Sequence, residues 1–127
     1  MITILPDKDY KNCKLINKTY ADNVFVFTAK DGDEYLGFGA AAMYDDYAEI
    51  VDVTTADGME SLEHGIFKSL LNFIERREIY DCICALDKPV MLKRLGFSPA
   101  EDEWKSEKNT QNSIFYLNLT RYFEKHC

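Results

Sequence analysis

A chain of 127 residues, 46% of them hydrophobic, is long enough to bury one core and too short for two. Its formal charge of −7 excludes the basic footprint that nucleic acid or an anionic membrane needs, and suits an amine-bearing or cationic partner. Four irregularly placed cysteines, Cys13, Cys82, Cys84 and Cys127, exclude a disulfide scaffold; with no signal-peptide pattern and no bilayer-length apolar run, the expected setting is the reducing cytoplasm.

The chain opens on ITIL, a short strand stopped by Pro6. Between Asp7 and Asn23, Tyr10, Cys13, Ile16 and Tyr20 recur at nearly helical spacing, so one amphipathic helix is expected there. NVFVFTAK and EYLGFGAAAMY follow, joined by Asp31-Gly32, a turn dipeptide that tolerates positive φ. Asp45-Asp46 makes a second tight turn, so strands two, three and four form an antiparallel meander. Gly37 and Gly39 mark a close approach or a bend.

The stretch from Tyr47 to Arg77 organises the rest as strand, loop and helix. In YAEIVDVTT strict alternation puts Tyr47, Glu49, Val51 and Val53 on one side and Ala48, Ile50, Asp52 and Thr54 on the other. After ADGMESLEH, the run GIFKSLLNFIERR winds Ile66, Phe67, Leu70, Leu71, Phe73 and Ile74 onto one broad apolar face that must lie on a sheet. Gly65 marks the expected helix start, where backbone N–H groups suit a phosphate. The next strand, in REIYDCICAL, should be a parallel neighbour of YAEIVDVTT, because a helix separates them. Asp87 can cap a short helix from Pro89 to Leu95, and Gly96 can end it. A return strand starts at Phe97, residues 101–111 form an exposed excursion, and NSIFYLNL is the last strand before a tail that leaves the sheet or turns helically. No repeat, low-complexity segment or linker divides the chain, so residues 1–127 form one domain.

This order, with LEHGIF at a helix start and MLKRLGF before the last strands, resembles the GNAT superfamily of acyl-CoA-dependent N-acetyltransferases. The resemblance implies a mixed α/β sheet of GNAT type with a shortened N-terminal helical region, acetyl-CoA as acyl donor, and direct transfer to an amine on a small molecule or a protein. In that family a [QR]-x-x-G-x-[GA] pattern holds the coenzyme pyrophosphate; here Gly65 matches the first glycine, while Leu62 and Phe67 replace the other two signature residues. MLKRLGF is similar to the family's LYEKLGF, with Gly96 and Phe97 matching and Leu92 standing where many members carry a tyrosine acid. These departures leave open a catalytically silent GNAT-like domain that binds a ligand or protein, or a homodimeric interaction module.

The resemblance places coenzyme contacts at Val53, Thr54 and Thr55, whose backbone would meet the pantetheine arm, and at His64, Gly65, Ile66 and Phe67 at the helix start. Glu49 is the candidate general base, since an ammonium must lose a proton before it attacks a thioester; its alternative is an ordinary glutamate on a solvent-facing strand position. The alternative for Gly65 is a packing glycine or a loop turn, and for His64 a solvated histidine. Cys82 and Cys84, at i and i+2 of a strand, are core residues rather than metal ligands, and no metal site is expected; His126 and Cys127 have no activating neighbour in the sequence. Tyr44, Tyr47, Trp104 and Tyr116 are either cleft liners or packing.

Overall fold

A computed structural model describes residues 1–100 and 114–125. The strands are β1 (Ile2–Pro6), β2 (Val24–Asp31), β3 (Glu34–Met43), β4 (Ala48–Thr55), β5 (Asp81–Cys84), β6 (Ser98–Pro99) and β7 (Phe115–Asn118); the helices are α1 (Glu63–Arg76), α2 (Pro89–Leu95) and α3 (Tyr122–Lys125). They form one mixed sheet in the order β1-β2-β3-β4-β5-β7-β6. The β2-β3-β4 meander is antiparallel as expected, and β4 and β5 are parallel neighbours with α1 between them in sequence. Turns at Gly32-Asp33 and Asp45-Asp46 close the two hairpins, the second by a Tyr44 N–H donating to the Tyr47 carbonyl at 2.9 Å. Among the described residues no helix is long and apolar enough to cross a membrane.

The amphipathic run of α1 buries Ile66, Phe67, Leu70, Leu71 and Ile74 against one face of the sheet. Each such side chain contributes about 1.5–3 kcal/mol by leaving water. β3 admits the helix because it carries glycine where the two touch: a Cβ at Gly39 would lie 2.5 Å from Ile66 Cγ2 and 2.8 Å from Leu70 Cδ1. The other face carries a smaller cluster of Val26, Phe38, Ala40, Ala42 and Val51, covered in part by Tyr10, Leu15, Ile16 and Tyr20.

Those covering residues come from the segment expected to be a helix, and here the expectation fails. Residues 7–23 hold only one 3-10 turn, Tyr10–Asn12, followed by a chain of turns. The spacing of Tyr10, Cys13 and Ile16 is three, not 3.6, and the hydrogen bonds follow it: Cys13 N–H donates to the Tyr10 carbonyl and Ile16 N–H to the Cys13 carbonyl. At the start, the Asp7 carboxylate accepts the Asp9 N–H at 2.8 Å, a local bond that competes with helix nucleation. The apolar residues still reach the sheet, with no α-helix to carry them.

A second correction concerns β4. Ala40 pairs with Asp52 and Ala41 with Ile50, so Val51 has no partner on β3 and a β-bulge interrupts the alternation. Ala48 and Ile50 face α1, Glu49 and Val51 face away, and beyond the bulge Val53 has returned to the α1 side instead of staying with Glu49. Gly96 ends α2 in the left-handed region at φ 105°, as its position implied, and the return strand after Phe97 is only two residues long. The tail turns helically as α3, where the Tyr122 hydroxyl donates to the Leu95 carbonyl at 2.6 Å. The excursion at 101–111, Trp104, His126 and Cys127 lie outside the described residues.

Candidate active site

β4 and β5 pair only from Ala48–Cys82 to Ile50–Cys84. β5 then ends, whereas β4 runs on to Thr55, so the two parallel strands part and leave the β5-side edge of β4 open. The bulge at Val51 lies where this parting begins. Ala56 N–H donates to the Leu36 carbonyl at 2.8 Å, which by alternation turns the peptide groups of Val53 and Thr55 toward the gap. Thr54, placed with them by the sequence reading, instead pairs with Phe38 and spends its peptide groups on β3; its side chain is exposed.

The helix start differs from the reading of Gly65. A 3-10 turn over Glu60–Leu62 runs directly into α1, which begins at Glu63, so Gly65 is its third residue. Of the four amides that such a start leaves without an intrahelical partner, Leu62 N–H donates to the Met59 carbonyl and Glu63 N–H to the Glu60 carbonyl. At most His64 and Gly65 remain for a ligand. A Cβ on Gly65 would sit 3.1 Å from Ile4 Cδ1, so the glycine also seats the helix against β1. Ile66 and Phe67 are fully buried under the helix, which turns the Phe67 ring to the sheet and away from the loop, while His64 is exposed.

Charge at this end is largely negative. Asp57, Glu60 and Glu63 cluster at the start of the helical run, and the Glu60 carboxylate accepts the Gly58 N–H at 3.4 Å. The Lys88 ammonium, at the N-cap of α2, pairs with Glu63 at 3.2 Å and so ties the starts of α1 and α2 together across the gap. The sequence reading missed this pair, because the two residues are 25 positions apart, Glu63 fills an unspecified position of LEHGIF, and Lys88 belongs to no motif.

Glu49 is fully buried, which overturns its solvent-facing alternative. It sits in β4 between Ala42 of β3 and Ile83 of β5, on the face away from α1. Glutamate is almost never buried to this extent unless it is paired or used. Tyr44 and Tyr47, at the turn preceding it, stack with ring centroids 4.6 Å apart. Two residues before Ile83 and on the same face, Asp81, the first residue of β5, accepts the Tyr116 hydroxyl, with the Asn118 side-chain amide within 3.4 Å; burial first, and then this carboxylate, push the Tyr116 phenol up. Beyond the bulge the Asp52 carboxylate takes the Tyr20 hydroxyl at 2.5 Å and the Lys18 ammonium at 3.0 Å. Burial, reinforced by Asp52, raises the Tyr20 pKa strongly. Asp52 and Asp81 escaped the sequence reading because a lone strand aspartate carries no pattern.

Leu92, in the place of the family's tyrosine, is fully buried in the main core. Cys82 and Cys84 are buried there too, and burial pushes the Cys82 thiol well up, away from the nucleophilic thiolate form. Among the described residues no cluster of His, Cys, Asp or Glu has the arrangement of a metal site.

No protein-family model matches the sequence, and no curated protein matches it either. Solved structures do. The ribosomal-protein-S18-alanine N-acetyltransferase of Escherichia coli superposes with a TM-score of 0.70 at 12% identity, over 94% of this chain and 95% of that one. A GNAT-family acetyltransferase of Staphylococcus aureus gives 0.70 at 12% identity over 94% and 100%, and one of Elizabethkingia anophelis with acetyl-CoA bound gives 0.64 at 13% over 93% and 98%. With the sheet order, the parted strands and this nearly complete coverage, the chain has the mixed α/β fold of the GNAT acetyltransferases.

Proposed function

We propose that this chain binds an acyl-coenzyme A between β4 and β5 and transfers the acyl group to an amine. The observation that carries the reading is the parting of the two parallel strands beside a wholly buried Glu49. The peptide groups of Val53 and Thr55 would bond the pantetheine amides as an added strand would. The His64 and Gly65 amides, with Lys88 once it is released from Glu63, would meet the pyrophosphate. Acetyl-CoA supplies the acyl thioester. Glu49, directly or through a water, would take the proton that the attacking ammonium must shed, and the excess of negative charge on the chain favours a cationic acceptor.

The acidic helix start and the buried Leu92 favour a second reading, a silent GNAT-like domain that binds ligand without turnover. Calorimetry with acetyl-CoA, followed by a transfer assay on a panel of amines, separates the two. For the transferase we expect a dissociation constant in the micromolar to millimolar range, about −8 to −4 kcal/mol. Glu49→Gln should leave that constant within about threefold and lower transfer by about a hundredfold or more. Binding with no transfer to any amine supports the silent domain, and absence of binding removes the coenzyme assignment.

A further inference from the structure

The sheet has an open corner at the end of α1 remote from the parted strands. β1 stops at Pro6, opposite Phe27, so Val24, Phe25 and Val26 of β2, paired with β3 on one side, have no strand beside them on the β1 side; among the described residues the only backbone bond reaching across there is from Asp7 N–H to the Val26 carbonyl, at 2.9 Å. The corner is a pocket of about 420 Å³, within the size range of small-molecule sites. Phe25 and Phe73 give it an apolar wall on the α1 face of the sheet, Val26 and Tyr10 line it on the other face, and Lys8 and Arg77 bring two cations to it.

Arg77 is held there in a particular way. It follows the last residue of α1, and its guanidinium carbon lies 4.2 Å from the centre of the Phe73 ring and 5.1 Å from that of Phe25, the two rings being 4.9 Å apart. Two aromatic faces thus restrain a flexible side chain, lowering the entropy lost when its planar fork is used. Among the described residues neither the Arg77 guanidinium nor the Lys8 ammonium forms an ion pair, in a chain with seven more acidic than basic side chains. The acidic groups lining the pocket do not neutralise them. Asp7 is committed elsewhere, its carboxylate accepting Asp9 N–H at 2.8 Å, the Thr28 hydroxyl at 2.9 Å and the Tyr35 hydroxyl at 3.4 Å. Asp22 is exposed on the solvent side.

We propose that this corner binds a small carboxylate with a flat apolar body, the carboxylate held by the fork of Arg77 and the body lying against Phe25 and Phe73. Bidentate pairing to a guanidinium distinguishes a carboxylate from a neutral isostere, and the ring wall selects an apolar body over a hydrophilic one. The site shares no residue with the coenzyme cleft and does not depend on acyl transfer.

The test is a titration of the full chain with phenylacetate, followed by amide chemical shifts, with phenylacetamide and benzylamine as the neutral and cationic analogues. Phenylacetate should perturb the amides of residues 24–26 and Arg77 while leaving Thr55 and Gly65 unmoved, and should bind at least about tenfold more tightly than either analogue. In Arg77→Gln that preference should vanish; in Arg77→Lys, which keeps the charge and loses the fork, it should shrink several-fold. Equal binding of phenylacetamide, tighter binding of benzylamine, perturbation confined to other residues, or no binding at about 10 mM phenylacetate would each overturn the proposal, and these comparisons need only the wild type. A folded Arg77→Gln protein that keeps full preference would overturn it too.

Discussion

Glu63 and Lys88 offer the sharpest handle on the coenzyme cleft. Both side chains are mostly covered, at 17% and 28% exposure, and their charged atoms lie 3.2 Å apart. At an effective dielectric constant of about 20 the gross attraction at that distance is about 5 kcal/mol, but lost hydration and side-chain freedom leave a net value nearer 1 kcal/mol. In Glu63→Gln the carboxylate charge disappears and Lys88 is free to meet phosphate. Acetyl-CoA should then bind about five- to tenfold more tightly, equivalent to about 1–1.4 kcal/mol, at a stability cost of at most about 1 kcal/mol. Lys88→Gln should act oppositely, since it removes the cation and leaves Glu63 facing the ligand. Calorimetry at about 0.15 M salt reads both, and repeating it at about 1 M, where the screening length falls to about 3 Å, should erase most of the gain. An unchanged dissociation constant in a folded Glu63→Gln protein, or tighter binding by Lys88→Gln, would refute the argument that this ion pair guards the phosphate position.

Other expectations follow from packing and titration. Gly39→Ala puts a methyl 2.5 Å from Ile66 Cγ2, an atom close to the helix backbone, so urea melts should show a loss of about 1–3 kcal/mol; a neutral result would mean that α1 can lift off β3 without penalty. Gly96→Val forces a β-branched residue to φ 105° and should cost roughly 1 kcal/mol or more in the same assay. Tyr20 titrates higher in the folded protein than its ordinary value of 10.0, so its contribution is complete below pH 10 and is lost as pH rises toward the folded value. Above pH 10 the wild type should therefore lose stability relative to Tyr20→Phe by up to about 1.4 kcal/mol per pH unit, and parallel pH profiles for the two proteins would contradict the partly buried bond to Asp52.

What the sequence by itself determined are the features set by neighbours along the chain. The apolar stripe from Ile66 to Ile74, the turns at Gly32 and Asp45-Asp46, and the left-handed stop at Gly96 each follow from local periodicity or backbone freedom, and all are found in the structure. With the parallel relation of β4 and β5 they make the β2-β3-β4-β5 part of the sheet order legible before any coordinates, and the GNAT fold was legible through the family resemblance of that element order, LEHGIF and MLKRLGF. The tertiary structure decided whatever depends on partners distant in sequence. Alternation could not reveal the bulge at Val51, because an extra residue is defined only against β3, and it is this residue that returns Val53 to the α1 side. Nor could local reading bury Glu49, pair Glu63 with Lys88, or unite Phe25, Phe73 and Arg77, since burial and charge pairing are sums over strands and helices that meet only on folding. The segment from Asp7 to Asn23 shows the same division from the other direction. Its apolar spacing correctly placed side chains on the sheet, but whether a helix carried them rested on hydrogen bonds between turns, and those bonds closed at three residues.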